Sequence, residues 1–113
     1  MKLVFLTHPV NDLKTALAFY RNQFGMQEVW REGDHTAALK LDGTDVALML
    51  EEDEKDLPAG GVFLVDSVDE FYKENKDELK FIKEPFDIPP GRYAAFQDDS
   101  GNVLRLIDMT KER

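Results

Sequence analysis

The chain has 113 residues, with 14 Lys plus Arg against 23 Asp plus Glu, a net charge of −9 and 42% hydrophobic residues. That length and apolar content fit one domain with a real core, and the charge excludes a phosphate-reading role, because no Lys and Arg cluster faces nucleic acid or an anionic membrane. With no cysteine, disulfides, thiolate nucleophiles, Cys-ligated zinc and iron–sulfur clusters are excluded.

The elements follow in order. Residues 2–7 form a short β-type run stopped by Pro9, which lacks a backbone donor. Asn11 or Asp12 is placed to cap a helix, since a short side-chain oxygen can take the free first-turn N–H groups. Leu13, Leu17, Tyr20 and Phe24 then recur at helical spacing, and Gly25 sits where a left-handed residue would end the helix. Residues 26–31, 35–41 and 45–50 are strand candidates separated by the turn-forming clusters Glu32-Gly33-Asp34 and Asp42-Gly43-Thr44. Residues 51–61 are charged, contain Pro and Gly, and read as a connector.

The pattern then starts again. Residues 62–65 form a strand, and Ser67 with Glu70 makes a capping-box pattern before a helix through Phe71 and Tyr72. Strands follow at 79–83, 92–97 and 103–108, broken by Pro85, Pro89-Pro90-Gly91 and 98–101. Val10-Asn11-Asp12-Leu13 registers with Val65-Asp66-Ser67-Val68 at an offset of 55, and Ala47-Leu48-Met49-Leu50 with Val103-Leu104-Arg105-Leu106 at an offset of 56. Two anchors at nearly one offset indicate a duplicated βαβββ unit, with modules 1–56 and 57–113 inside a single domain, 1–113. No apolar run reaches the length of a membrane span, and the first residues lack the features of a signal peptide. The expected setting is therefore the cytoplasm.

Three stretches carry a family resemblance. They are Val10-Asn11-Asp12-Leu13 leading to Phe19-Tyr20 and Phe24-Gly25-Met26; Val65-Asp66-Ser67-Val68-Asp69-Glu70-Phe71-Tyr72; and Phe96-Gln97-Asp98-Asp99-Ser100-Gly101-Asn102 followed by Leu104-Arg105-Leu106. In this order the sequence resembles the vicinal oxygen chelate superfamily, which holds glyoxalase I, bleomycin-resistance proteins and extradiol dioxygenases. The resemblance implies an α+β fold of two βαβββ modules whose curved mixed sheets surround a cavity. In the metal enzymes of the family, four side chains on the first and fourth strands of the modules hold one divalent ion. The ion stabilises negative charge developing on the substrate. Here those positions read Phe5, Met49, Gly60 and Arg105, so no metal and no other cofactor is expected.

The remaining candidates are weighed from chemistry. Arg105 alternates away from Leu104 and Leu106; a fixed guanidinium there could bind a carboxylate, phosphate or enolate oxygen, or instead reach solvent or pair with Glu51 of the other half. Arg92 and Tyr93 fall where the family often contacts substrate. Phe5, Trp30, Tyr93 and Phe96 would stack on a planar ligand, or simply fill the core. His8 and His35 could each serve as a base, and a separate metal site of His8, His35 and Glu51 is a further alternative. The leading expectation is a metal-free ligand-binding protein of the bleomycin-resistance type, acting as a homodimer on a small organic molecule. The ligand-binding candidates are Phe5, Trp30, His35, Met49, Arg92, Tyr93, Phe96 and Arg105. The alternative is an enzyme, a lyase, isomerase or dioxygenase with an atypical or absent metal site. No catalytic residue is assigned.

Overall fold

The computed structural model describes residues 1–112. The chain divides into two compact units, 4–59 and the part from Gly60 onward, which Met1–Leu3 joins. The division falls just past the expected module boundary. Each unit contains a βαβββ run. The first comprises β1 (Lys2–Pro9), α1 (Leu13–Phe24), β2 (Glu28–Glu32), β3 (Thr36–Lys40) and β4 (Ala47–Glu51). The second comprises β5 (Gly60–Leu64), α2 (Val68–Asn75), β6 (Lys80–Ile88), β7 (Gly91–Gln97) and β8 (Val103–Ile107), followed by a 3-10 turn at Thr110–Glu112.

Within the first unit the strands lie in the order β2-β3-β4-β1, antiparallel except for the parallel β4–β1 pair. The second unit repeats this as β6-β7-β8-β5, with β5 and β8 parallel. One helix covers one face of each sheet. Leu13 and Leu17 of α1 pack on Ala37, Leu39, Leu48 and Leu50. In the second unit Val68 packs with Ala94, Phe96 and Leu106, joined by the half-buried Phe63, Phe71, Phe81 and Leu104. Because side chains alternate along a strand, this assignment sends Met49 and Arg105 to the opposite, helix-free faces.

The helix boundaries obey local rules. Asp12 caps α1 in an extended conformation (φ −146°, ψ 117°) and accepts from Thr15 N–H at 2.8 Å, while Gly25 ends it at φ 66°. Ser67 caps α2 and accepts from Glu70 N–H at 3.2 Å. Each helix also receives a carboxylate from the end of its own sheet. Leu13 N–H donates to Glu52 Oε2 at 2.7 Å, and Val68 N–H donates to Asp108 Oδ2 at 2.8 Å. Asp108 is fully buried. It accepts further bonds from Arg92 N–H at 2.9 Å and from the Thr110 hydroxyl at 2.8 Å. Gly91 is required beside it, since a Cβ there would lie 2.1 Å from Asp108 Oδ1 and 2.5 Å from its carbonyl oxygen.

One expected break is corrected. β6 runs through Pro85 rather than ending there, with its register shifting between Lys83 and Phe86. β6 is the outer strand of its unit, and Pro85 sits in the irregularity, where no ladder donor is demanded of it. The strands at 26–31 and 35–41 are also shorter than expected, beginning at Glu28 and Thr36.

Desolvation pushes the Asp108 carboxyl up, but the hydrogen bonds from Val68, Thr110 and Arg92 outweigh it and hold it below the ordinary Asp range. A depressed folded value means that this group stabilises the fold above its unfolded pKa of about 3.9 and loses that contribution as pH falls through the folded value. Asp108→Asn turns one acceptor into a donor facing N–H groups and should cost about 3 kcal/mol in urea unfolding at neutral pH. The gap between wild type and variant should narrow as the pH falls below the unfolded pKa of about 3.9 and on through the lower folded value.

Candidate functional site

The helix-free face of the first unit is built by three rows of paired residues. Thr7 lies beside Met49, Met49 beside Ala38 and Ala38 beside Trp30. Pro9, Glu51, Thr36 and Glu32 form the next row, while Phe5, Ala47 and Lys40 form the row before. Phe5 meets Trp30 edge to face at 5.6 Å between ring centroids. Phe5, Trp30 and Met49 therefore share one wall of apolar and aromatic surface, with Met49 buried and the two rings half-buried.

Two polar groups sit in this wall. Thr7 is fully buried, and its hydroxyl has no hydrogen-bond partner among the described residues. An unsatisfied buried hydroxyl costs about 1–3 kcal/mol, a price that Val, of the same shape, would avoid. Glu51 is half-buried; Oε2 accepts from the Thr36 hydroxyl and Oε1 from Asp53 N–H at 2.9 Å. Burial pushes the Glu51 carboxyl above the ordinary carboxylate range, more than the Thr36 and Asp53 bonds pull it down, and the charges of Asp53 and Glu54 add to the rise.

The second unit presents a different face. Arg105 is fully buried between Val62 and Ala95 in the ladder. Its guanidinium lies against Gly60: a Cβ on that glycine would stand 3.3 Å from Arg105 Nη1 and 3.2 Å from Val103 carbonyl oxygen. Tyr93, on the same face by its pairing with Ile107, is buried and packs on Phe86 at 5.0 Å.

Other expected residues lie elsewhere. Phe96 faces the helix, stacked on Phe71 at 5.8 Å and beside Phe81 at 5.6 Å, because it is an even-numbered neighbour of Ala94 and Leu106 on their face. Arg92 is on that side too, bonded at 3.2 Å to Asp69 and Asp87 and at 3.1 Å to the Pro85 carbonyl. His8 also turns toward its helix, with Nδ1 3.2 Å from the Tyr20 hydroxyl. His35 is exposed and pairs with Glu52 at 3.2 Å, which raises its pKa. The grouping of His8, His35 and Glu51 as one metal site is thus corrected: His8 and Glu51 belong to opposite faces of the sheet. Among the described residues no three His, Cys, Asp or Glu side chains gather where they could hold an ion.

Thr7 and Thr36 were not among the sequence candidates. Period-two alternation from Phe5 and Met49 reaches Thr7 and Glu51, but nothing in that pattern says that the Thr7 hydroxyl lacks a partner among the described residues.

Two βαβββ units, each with a parallel first and fourth strand and one covering helix, define an α+β protein of paired modules. Residues 2–106 match the model of the Glyoxalase/Bleomycin resistance protein/Dioxygenase superfamily, and the chain belongs to that superfamily. No curated protein sequence matches it significantly. Among solved structures it is similar to an NAD-dependent benzaldehyde dehydrogenase from Legionella pneumophila, with TM-score 0.74, 21% identity, and 93% of this chain and 97% of that one covered. It is also similar to a Streptomyces coelicolor methylmalonyl-CoA epimerase variant bound to 2-nitronate-propionyl-CoA, with TM-score 0.72, 18% identity and coverages of 96% and 94%. A glyoxalase/bleomycin resistance protein/dioxygenase superfamily member from Vibrio splendidus 12B01 gives TM-score 0.57, 20% identity and coverages of 95% and 97%. At these identities the likeness is one of fold, and the differing activities named show that the fold does not choose the reaction.

The raised Glu51 carboxyl sets a sign. A carboxylate whose folded pKa exceeds its unfolded value costs stability once pH rises above the folded value, and costs nothing well below both. Glu51→Gln keeps an acceptor for Thr36 and removes the charge. It should raise Tm at pH 8 and leave it unchanged at pH 3, as measured by thermal unfolding at the two pH values.

Proposed function

We propose that this protein binds a small organic molecule against the helix-free face of its sheet and does so without a metal ion. The observation that carries the metal-free reading is the contact between Gly60 and Arg105. At the four positions where the family's metal enzymes place ligands, this chain has Phe5, Met49, Gly60 and Arg105. Phe and Gly offer no donor atom, a thioether is a poor match for a hard divalent ion, and a guanidinium stays cationic. These residues do not fit the ion. Gly60 and Arg105 are also spatial neighbours: a Cβ at Gly60 would stand 3.3 Å from Arg105 Nη1, so the guanidinium would have to give by a few tenths of an ångström to admit a side chain there. A permanent internal cation stands where the family uses a metal charge.

The aromatic and thioether wall of Phe5, Trp30 and Met49 supports the binding half of the reading. A ligand surface of this kind is apolar with a few fixed polar groups. In keeping with the resemblance seen in the sequence, the acting form is a homodimer in the cytoplasm.

The test has two parts. Protein purified with added Ni, Zn, Mn or Fe and then dialysed should retain far less than one ion per chain by elemental analysis, whereas stoichiometric metal supporting turnover would overturn the reading. Gly60→His should lower Tm without creating metal affinity, and adding Arg105→Glu to that variant should recover part of the loss. An unchanged Tm for Gly60→His would show that the guanidinium does not claim the space. A small-molecule screen completes the test, since a ligand selective for the folded state must raise Tm with concentration.

A further inference from the structure

We infer that Glu51 and the Thr7 hydroxyl form the polar end of a subsite for a planar organic ligand that carries a nitrogen hydrogen-bond donor, such as an amidine or an aromatic amine. This inference rests on the small-molecule reading above and names the chemistry of the ligand. Three independent features of the first unit converge on it.

The first is Thr7. Its hydroxyl is fully buried without a partner among the described residues. The register sets Thr7 directly beside Met49, whose side chain belongs to the aromatic wall, and one pleat from Glu51 on the same face. Buried polar atoms without a partner are rare enough in folded proteins to require a reason, and a ligand atom supplies one.

The second is the carboxylate. Each Glu51 oxygen receives one donor, from Asp53 N–H and from the Thr36 hydroxyl. A carboxylate offers about four lone-pair sites, so both oxygens keep acceptor capacity. The two existing bonds also fix the orientation of the group. Asp53 and Glu54 place further negative charge beside Glu51, so the potential around it is negative. Glu32, across from Thr36 in the same row, adds another acidic residue. A donor with positive charge is therefore the complementary partner; an anion is not.

The third is the wall. Phe5 and Trp30 meet edge to face, and Met49 lies in the same row as Trp30, so the polar pair borders polarisable surface. A planar body stacks on such surface while its nitrogen group reaches the carboxylate and hydroxyl.

Three small probes of one shape separate the possibilities: benzamidine (planar cation), benzamide (neutral N–H donor) and benzoate (planar anion). Binding is read by methyl NMR shifts at Thr7 and Met49 and by the Kd from titration. Benzamidine should bind at least about tenfold more tightly than benzoate, with benzamide between them. Glu51→Gln should weaken benzamidine about tenfold or more. Thr7→Val should weaken it, and Thr7→Ser, which keeps the hydroxyl, should restore it. Both Glu51→Gln and Thr7→Val preserve shape, and their folding is checked by circular dichroism.

Benzoate binding as tightly as benzamidine, or benzamidine binding that ignores both variants, overturns the inference while leaving the small-molecule reading intact. Failure of all three probes to shift Thr7 or Met49 at about 10 mM also overturns it. Only an additional failure of a broad ligand screen would overturn the parent reading as well.

Discussion

The carboxylate that follows the fourth strand of each unit and accepts from the first N–H of that unit's helix is the constraint on which the rest depends. The first-turn N–H groups of a helix have no partners within it, and the helix dipole favours negative charge there. Glu52 and Asp108 supply that charge from the chain segment that has just finished pairing in parallel with β1 or β5. Each contact thereby ties a strand end to a helix start and fixes which face of the sheet the helix covers. Once that face is taken, alternation decides every other side chain. Leu48, Leu50, Phe96 and Leu106 go to the helix; Thr7, Met49, Glu51, Tyr93 and Arg105 go to the other side.

The duplicated design is kept in geometry while its chemistry diverges. Asp108 is buried and shared among Val68, Arg92 and Thr110, so the second unit has its helix, β7 and final turn joined at one group. Glu52 is shared with a solvent-exposed histidine instead. The helix-free faces diverge further. The first unit has a carboxylate and, among the described residues, an unpartnered hydroxyl beside aromatic rings, and the second has an enclosed guanidinium packed close beside a glycine. Groups whose burial costs stability, on a face that a simple core would fill with aliphatic residues, are what a binding function would retain.

Much of the fold was legible in the sequence because its signals are local. Asp12, Gly25 and Ser67 act through neighbours within a turn or two, so the caps could be read from residue type and position. The alternation of Leu104, Arg105 and Leu106 likewise placed Arg105 opposite the helix. Pro85 was misleading, because a proline is compatible with an outer strand at a register shift, and being outermost is not a local property. Arg92 was placed on the ligand side from family position, and Phe96 was left between ligand wall and core as an aromatic on a strand; strand parity sends both to the helix side.

The sequence by itself determined the two βαβββ repeats, the boundaries of most of their elements to within a few residues, and the superfamily. These follow from residue type and spacing, which act through backbone preference and side-chain chemistry. Only the tertiary structure decided that Glu52 and Asp108 cap helices some 40 residues away, that Arg105 packs close beside Gly60, and that the Thr7 hydroxyl is buried without a partner among the described residues, beside the row that carries Glu51. Such contacts join residues distant in sequence, and whether a polar atom finds a partner depends on all the chain packed around it, which no local pattern encodes.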